Sequence, residues 1–144
     1  TCALPIYPET ANNKIFRLLN QIKDAGKKCG VVLNPATPAE SIAEYAHLLD
    51  KVTVMSVDPG YAGQKFIPES LNKIRKLINM RKNNGYNYLT EIDGSCNEKT
   101  FGQIAESGVD VFIVGTSGLF SLHEDVSQAW DRMIEIFQRE TVAA

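Results

Sequence analysis

Residues 52–64, VTVMSVDPGYAGQ, place a near-continuous β-prone run directly before a turn rich in proline and glycine. A strand with one wet face alternates apolar and polar positions. A run that stays largely apolar instead marks a strand covered on both faces, as in a parallel sheet packed under helices. The next segment agrees: Leu71, Ile74, Leu77 and Ile78 form a stripe at helical spacing that ends at Gly85.

The same unit recurs on both sides. Upstream, Ile15, Leu18, Leu19 and Ile22 predict an amphipathic helix between Ala11 and Gly26. CGVVL, 29–33, is a short apolar run closed by Asn34 and Pro35. Thr37, Pro38 and Glu40 then read as a capping box ahead of a helix carrying Ile42, Tyr45, Ala46 and Leu49. Downstream, YLTEI, 88–92, precedes a helix from about Asn97 through Phe101, Ile104 and Ala105 to Gly108. VFIVG, 111–115, leads through TSGLF to a helix carrying Val126, Trp130, Met133 and Phe137, with Ser121 and Glu124 as its cap. Four strands each precede a helix. The fold class is therefore α/β with parallel strands, either an open doubly wound sheet or a (β/α)8 barrel. Both architectures put ligands at the carboxyl ends of the strands.

The chain has 144 residues, 44% hydrophobic and 22% charged, which suits one globular domain. A formal net charge of −2, with no long basic run, offers no electrostatic footprint for nucleic acid or an anionic membrane. Apolar stretches are strand-sized and no signal peptide opens the chain, so a cytoplasmic location is expected. Cys2, Cys29 and Cys96 have no metal-like spacing and read as free thiols. His47 and His123 fall on helical segments, in solvated or capping roles.

Three strand ends carry chemistry. Gly60 and Gly63 open a loop whose backbone N–H groups could approach an anion, or serve a turn that merely needs glycine. Gly115, Thr116 and Ser117 offer N–H and hydroxyl donors just before a helix, a way to hold phosphate without lysine. Between them, EIDGSC puts Glu91 and Asp93 on one side of a strand and Ile92 on the other. Such an acid is costly to bury unless it binds a cation, moves a proton or is well hydrogen-bonded. Asp93 could also simply cap the turn, while Glu91 reads as a supporting residue. In a barrel, the loops after the last two strands form the common phosphate site, with Asp93 at its mouth.

Together VMSVDPGYAGQKFIPE, EIDGSCN and DVFIVGTSGLF resemble the ribulose-phosphate 3-epimerase family. The Ser95-Cys96 and Gly115 to Gly118 variants look most like its D-allulose-6-phosphate 3-epimerase branch. The resemblance implies a TIM barrel of the ribulose-phosphate-binding type that inverts C3 of a ketose phosphate with a divalent cation: zinc, iron, manganese or cobalt. It implies that Asp93 is both metal ligand and one of two acid/base groups. It also implies that Gly60, Tyr61, Ala62 and Gly63, with Gly94, Ser95, Gly115, Thr116 and Ser117, contact substrate or its phosphate, and that Met55 lies near the substrate. A ketose phosphate is the expected partner, and a homo-oligomer of the full-length protein is open.

The family's second aspartate and its histidine ligands have no counterpart here. With about four and a half β/α units, residues 1–144 read as a single partial barrel, the carboxyl-terminal half. TCALPI, 1–6, fits no pattern of the fold and back-translates to a sequencing-adapter end, so 1–7 are expected to be a non-native leader. The family's His-Pro-Glu segment would then survive only as Pro8 and Glu9, with Tyr7 in the histidine's place. Two alternatives stay open: ribulose 5-phosphate as substrate, or a non-catalytic half-barrel that only binds phosphate.

Overall fold

A computed structural model of the chain describes residues 6–142. Four parallel strands lie in sequence order: β1 (Gly30–Leu33), β2 (Lys51–Met55), β3 (Leu89–Asp93) and β4 (Val111–Ile113). Beyond β1, Ile6 makes a single parallel bridge to Val31, and its carbonyl accepts the Val32 N–H at 2.8 Å. The helices are α1 (Pro8–Ala11), α2 (Ile15–Asp24), α3 (Glu69–Asn84), α4 (Phe101–Glu106) and α5 (Val126–Val142). Most of the expected leader, with Cys2, lies outside the described residues. None of the described helices is long and apolar enough to cross a membrane.

Alternation along the strands sorts the side chains. Leu33, Val54 and Ile92 are register partners on the helix side and are fully buried with Leu19, Ile74, Leu77 and Ile104. Phe112 continues that layer and meets Phe101 and Phe137 edge-on. The other face carries Val32, Thr53 and Glu91 in one row and Met55, Asp93 and Ile113 in the next. Glu91 is buried there but satisfied, accepting from Thr53 Oγ1 at 2.7 Å and Lys51 Nζ at 3.0 Å. This matches the supporting role read from the sequence. Cys29 and Cys96 are free and buried.

Three segments differ from expectation. Residues 37–49 form short 3-10 turns at Ala39–Ile42 and Ala46–Leu48, not an α-helix. Ile42, Tyr45, Ala46 and Leu49 are all buried as the pattern requires, but the Thr37 hydroxyl is taken by Glu9 and cannot cap the segment. On α5 Met133 is buried and Phe137 packs against the core as expected, but Val126 and Trp130 are exposed and Ala129 is buried in their stead, so the first half of the apolar stripe is rotated from the predicted one. The cap of α5 is Asp125, whose Oδ1 accepts the Gln128 N–H, and not the Ser121/Glu124 pair. His123 takes its capping role nearby, with Nδ1 accepting the Asp125 N–H. The fourth helix is regular only from Phe101, yet Asn97 caps the turn that leads into it as its position predicts: its Oδ1 accepts the Lys99 N–H and its carbonyl accepts the N–H groups of Thr100 and Phe101.

Candidate functional site

All three singled-out strand ends open into one cleft of about 340 Å³ at the carboxyl edge of the sheet. Its floor is the row Met55, Asp93 and Ile113 from β2, β3 and β4. One wall is the loop after β2 with Gly60, Tyr61, Ala62 and Gly63; the others are Gly94 and Ser95 after β3, and Gly115, Thr116 and Ser117 after β4. Every residue expected at a site is therefore brought to one place. Val57, Asp58, Pro59 and Gln64 also line it without having been singled out as site residues, as does Cys96, which the sequence marks only as part of a branch-like variant.

The loop after β2 is closed at its base by the Ile67 N–H donating to the Ser56 carbonyl at 2.8 Å. Within it, Gln64 Nε2 donates to the carbonyls of Asp58 and Tyr61, bracing a stretch that is otherwise exposed. Its tip, Tyr61, is 75% exposed. The loop is tied to the next strand end by Ser95 Oγ, which donates to the Gln64 carbonyl at 2.5 Å. Among the described residues Ser95 is the one non-glycine with positive φ, at 49°.

The end of β3 is held from behind. The Ser56 N–H donates to the Asp93 carbonyl at 2.8 Å, and the Ser56 hydroxyl donates to the Gly94 carbonyl at 2.6 Å. Gly94 has φ of 121°, and a Cβ there would lie 2.8 Å from Val57 Cγ2 and 3.0 Å from the Val57 nitrogen. Glycine is the residue that fits. After β4, residues Thr116–Phe120 form one π-type turn whose first bond runs from the Leu119 N–H to the Gly115 carbonyl. The N–H groups of Thr116, Ser117 and Gly118 precede that bond and have no partner inside the turn.

Charge in the cleft is sparse. Asp58 and Asp93 are its acids, and no Lys, Arg or His lines it among the described residues. Burial first, and then the Glu91 carboxylate two positions back, push the Asp93 carboxyl above the ordinary range. Burial, with Asp93 adding to it, pushes the Cys96 thiol to about 12, so it is no nucleophile near neutral pH. The arrangement offers a half-buried carboxylate that can accept a proton or ligate a cation, beside neutral donors suited to an anion. Among the described residues no three His, Cys, Asp or Glu side chains gather into a metal cluster. Asp93 thus fits one position of a cation's oxygen shell and no complete shell.

A family model described as "Ribulose-phosphate 3 epimerase family" matches residues 2–120. Among curated proteins, the chain is 41% identical over 117 residues to "Ribulose-phosphate 3-epimerase" of Aquifex aeolicus, covering 81% of this chain and 52% of that protein. It is 37% identical over 114 residues to the Escherichia coli K12 protein of the same name, covering 79% and 50%. To the Mycobacterium bovis protein of that name it is 39% identical over 111 residues, covering 77% and 48%. The chain spans about half the length of the curated relatives it matches.

Proposed function

The chain belongs to the ribulose-phosphate 3-epimerase family, and from that premise we propose that it supplies one side of an isomerase that inverts C3 of a ketose phosphate. On this reading the four-stranded sheet is the carboxyl-terminal half of a (β/α)8 barrel, and the remaining strands belong to the length of the relatives that this chain does not span. The observation that carries it is the seating of Asp93 in the same cleft as two anion-ready loops. A phosphate held by the Gly115–Ser117 turn and the glycine loop would anchor one end of a sugar. Its reacting carbon would then lie over the floor row that contains Asp93.

Asp93 removes the C3 proton from one face of the sugar, or returns one to it. Burial raises its proton affinity toward the working range of a general base. Inversion needs a second acid on the opposite face; on this reading it comes from the length of the relatives that this chain does not span, because Asp58, the cleft's other acid, is exposed on the loop after β2 and does not stand on the floor row. A divalent cation, when bound, stabilises the negative charge that develops on the sugar's oxygens during deprotonation. Asp93 would be one of its ligands, and zinc, iron, manganese or cobalt all suit oxygen and nitrogen donors.

The Ser95-Cys96 and Gly115 to Gly118 variants favour D-allulose 6-phosphate as the substrate, because they look like that branch. The names of the relatives favour a ribulose phosphate instead. Both are the same kind of reaction. A chimera in which this chain replaces the matching segment of the Aquifex aeolicus relative tests both levels. It is expected to form the 3-epimer of a ketose phosphate, and Asp93→Asn is expected to lower turnover about 10²–10⁴-fold. Unchanged turnover in that variant would remove Asp93 from the chemistry. The ratio of turnover on the two phosphates then decides the substrate. For the 144 residues alone no epimer is expected, because the one acid on the cleft floor, Asp93, cannot serve both faces.

A further inference from the structure

Asn97 sits beside the cleft, and its polar atoms are all in use. Its side-chain amide donates to the Ser95 carbonyl at 3.1 Å and to Ser117 Oγ at 3.3 Å. Its Oδ1 accepts the Lys99 N–H at 3.1 Å, which fixes the amide's orientation because only oxygen can accept there. The Asn97 N–H donates to Thr100 Oγ1, and that hydroxyl donates to the same Ser95 carbonyl at 2.7 Å. Asn97 is therefore held in one pose.

A serine hydroxyl has a single hydrogen and two acceptor sites. At Ser117 the Asn97 amide occupies an acceptor site, so the hydrogen remains to be given elsewhere, and Ser117 lines the cleft. At Ser95 the reverse holds, since its hydrogen is spent on the Gln64 carbonyl. We propose that Asn97 is a positioning residue for anion recognition, holding the Ser117 hydroxyl as a donor aimed into the cleft. Ser95 in this arrangement serves as a latch between loops and not as a phosphate donor. The inference rests on the reading that the turn after β4 holds a phosphate, and it names the residue that makes one of its serines fit for that task.

Titrating the 144-residue chain with inorganic phosphate, followed by the ¹⁵N–¹H shifts of Gly115 and Ser117, separates the two levels. No saturable shift in the unmodified chain would overturn the reading of the turn and the inference with it. Given binding, Asn97→Ala and Ser117→Ala are each expected to weaken it about tenfold, in line with one hydrogen bond to a charged group. Because Asn97 acts through Ser117, the double variant is expected to bind no worse than either single one. Asn97→Asp keeps the shape and the contact from Lys99 but draws the Ser117 hydrogen to itself, so it is expected to weaken phosphate at least as much as Asn97→Ala. It also stands in should the alanine variant fail to fold. Multiplicative losses in the double variant would show a general structural role. Full affinity in Asn97→Ala or Asn97→Asp would overturn the proposal outright.

Discussion

Gly118 shows how a single residue fixes the relation between two loops of the cleft. A Cβ placed on it would lie 2.0 Å from the Cys96 carbonyl oxygen, a contact with backbone that no rotamer can relieve. The close approach lets the turn after β4 rest on the end of β3, where Asp93 and Ser95 stand. Gly118→Ala should therefore cost about 3 kcal/mol or more, at the upper end for overpacked sites. Urea unfolding would measure it as a lower midpoint at unchanged slope, and a midpoint within error of the unmodified chain would mean the two loops part without cost. The sequence shows Gly118 as the glycine of TSGLF and as part of a branch-like variant, but its partner is 22 positions away and nothing local marks the contact. Asp93 is different. An acid at the end of an apolar run, followed by glycine, is visible as an anomaly in the sequence alone, since burying it needs a reason. What cannot be read there is its company: Glu91 shares its face by simple alternation, but Lys51 and Thr53, which satisfy Glu91, come from a strand 38 to 40 positions earlier.

At the scale of elements, the end of the sheet opposite the cleft is pinned by one carboxylate. Asp110 Oδ2 accepts from Arg81 on α3 at 2.6 Å and from the N–H and hydroxyl of Thr90 on β3 at 2.7 and 2.8 Å. Burial alone would raise the Asp110 carboxyl, but the Arg81 hydrogen bond, followed by those from Thr90, outweighs it and holds the group below the ordinary carboxylate range. Below the unfolded-state value of about 3.9 the unfolded chain binds this proton first, so stability falls as pH drops toward the folded-state value. Asp110→Asn should be destabilising at pH 7, and its gap from the unmodified chain should narrow as pH falls below about 4. Thermal melts at pH 7 and pH 3 would show it, and a gap that stays constant would mean the charge contributes nothing. Helix positions are legible where propensity and packing agree, as in α3, which runs to Gly85 with φ of 67° at its end. They are less so where a distant side chain intervenes. Glu9 takes the hydroxyl of Thr37, and Lys73 on α3 donates to the carbonyls of Asn34 and Pro35, so the segment after β1 is shaped from outside itself.

For the whole molecule, the alternation of strand and helix is legible because each strand is a short, largely apolar run and each helix carries one apolar stripe, whereas closure of the sheet leaves no mark in a hydrophobic pattern. The strand order is sequential and parallel, and its two margins differ. β1 has β2 on one side and the Ile6 bridge on the other. Among the described residues β4 pairs only with β3, over three residues that are all half-buried. A strand with one neighbour leaves a row of N–H and C=O groups to solvent and opens at lower free-energy cost than a central strand. Amide hydrogen exchange should therefore rank β2 and β3 as most protected and Val111–Ile113 as exchanging at least about tenfold faster. In the proposed complete barrel that margin is covered, so the chimera with the Aquifex aeolicus relative should slow β4 to the rate of its neighbours while leaving β2 and β3 little changed. If β4 is already as protected as β2 in the isolated chain, and loses that protection on dilution, its edge is being covered by a second copy. If it is equally protected at every concentration, the sheet does not end at β4 in solution, and the half-barrel reading of the fold falls with it.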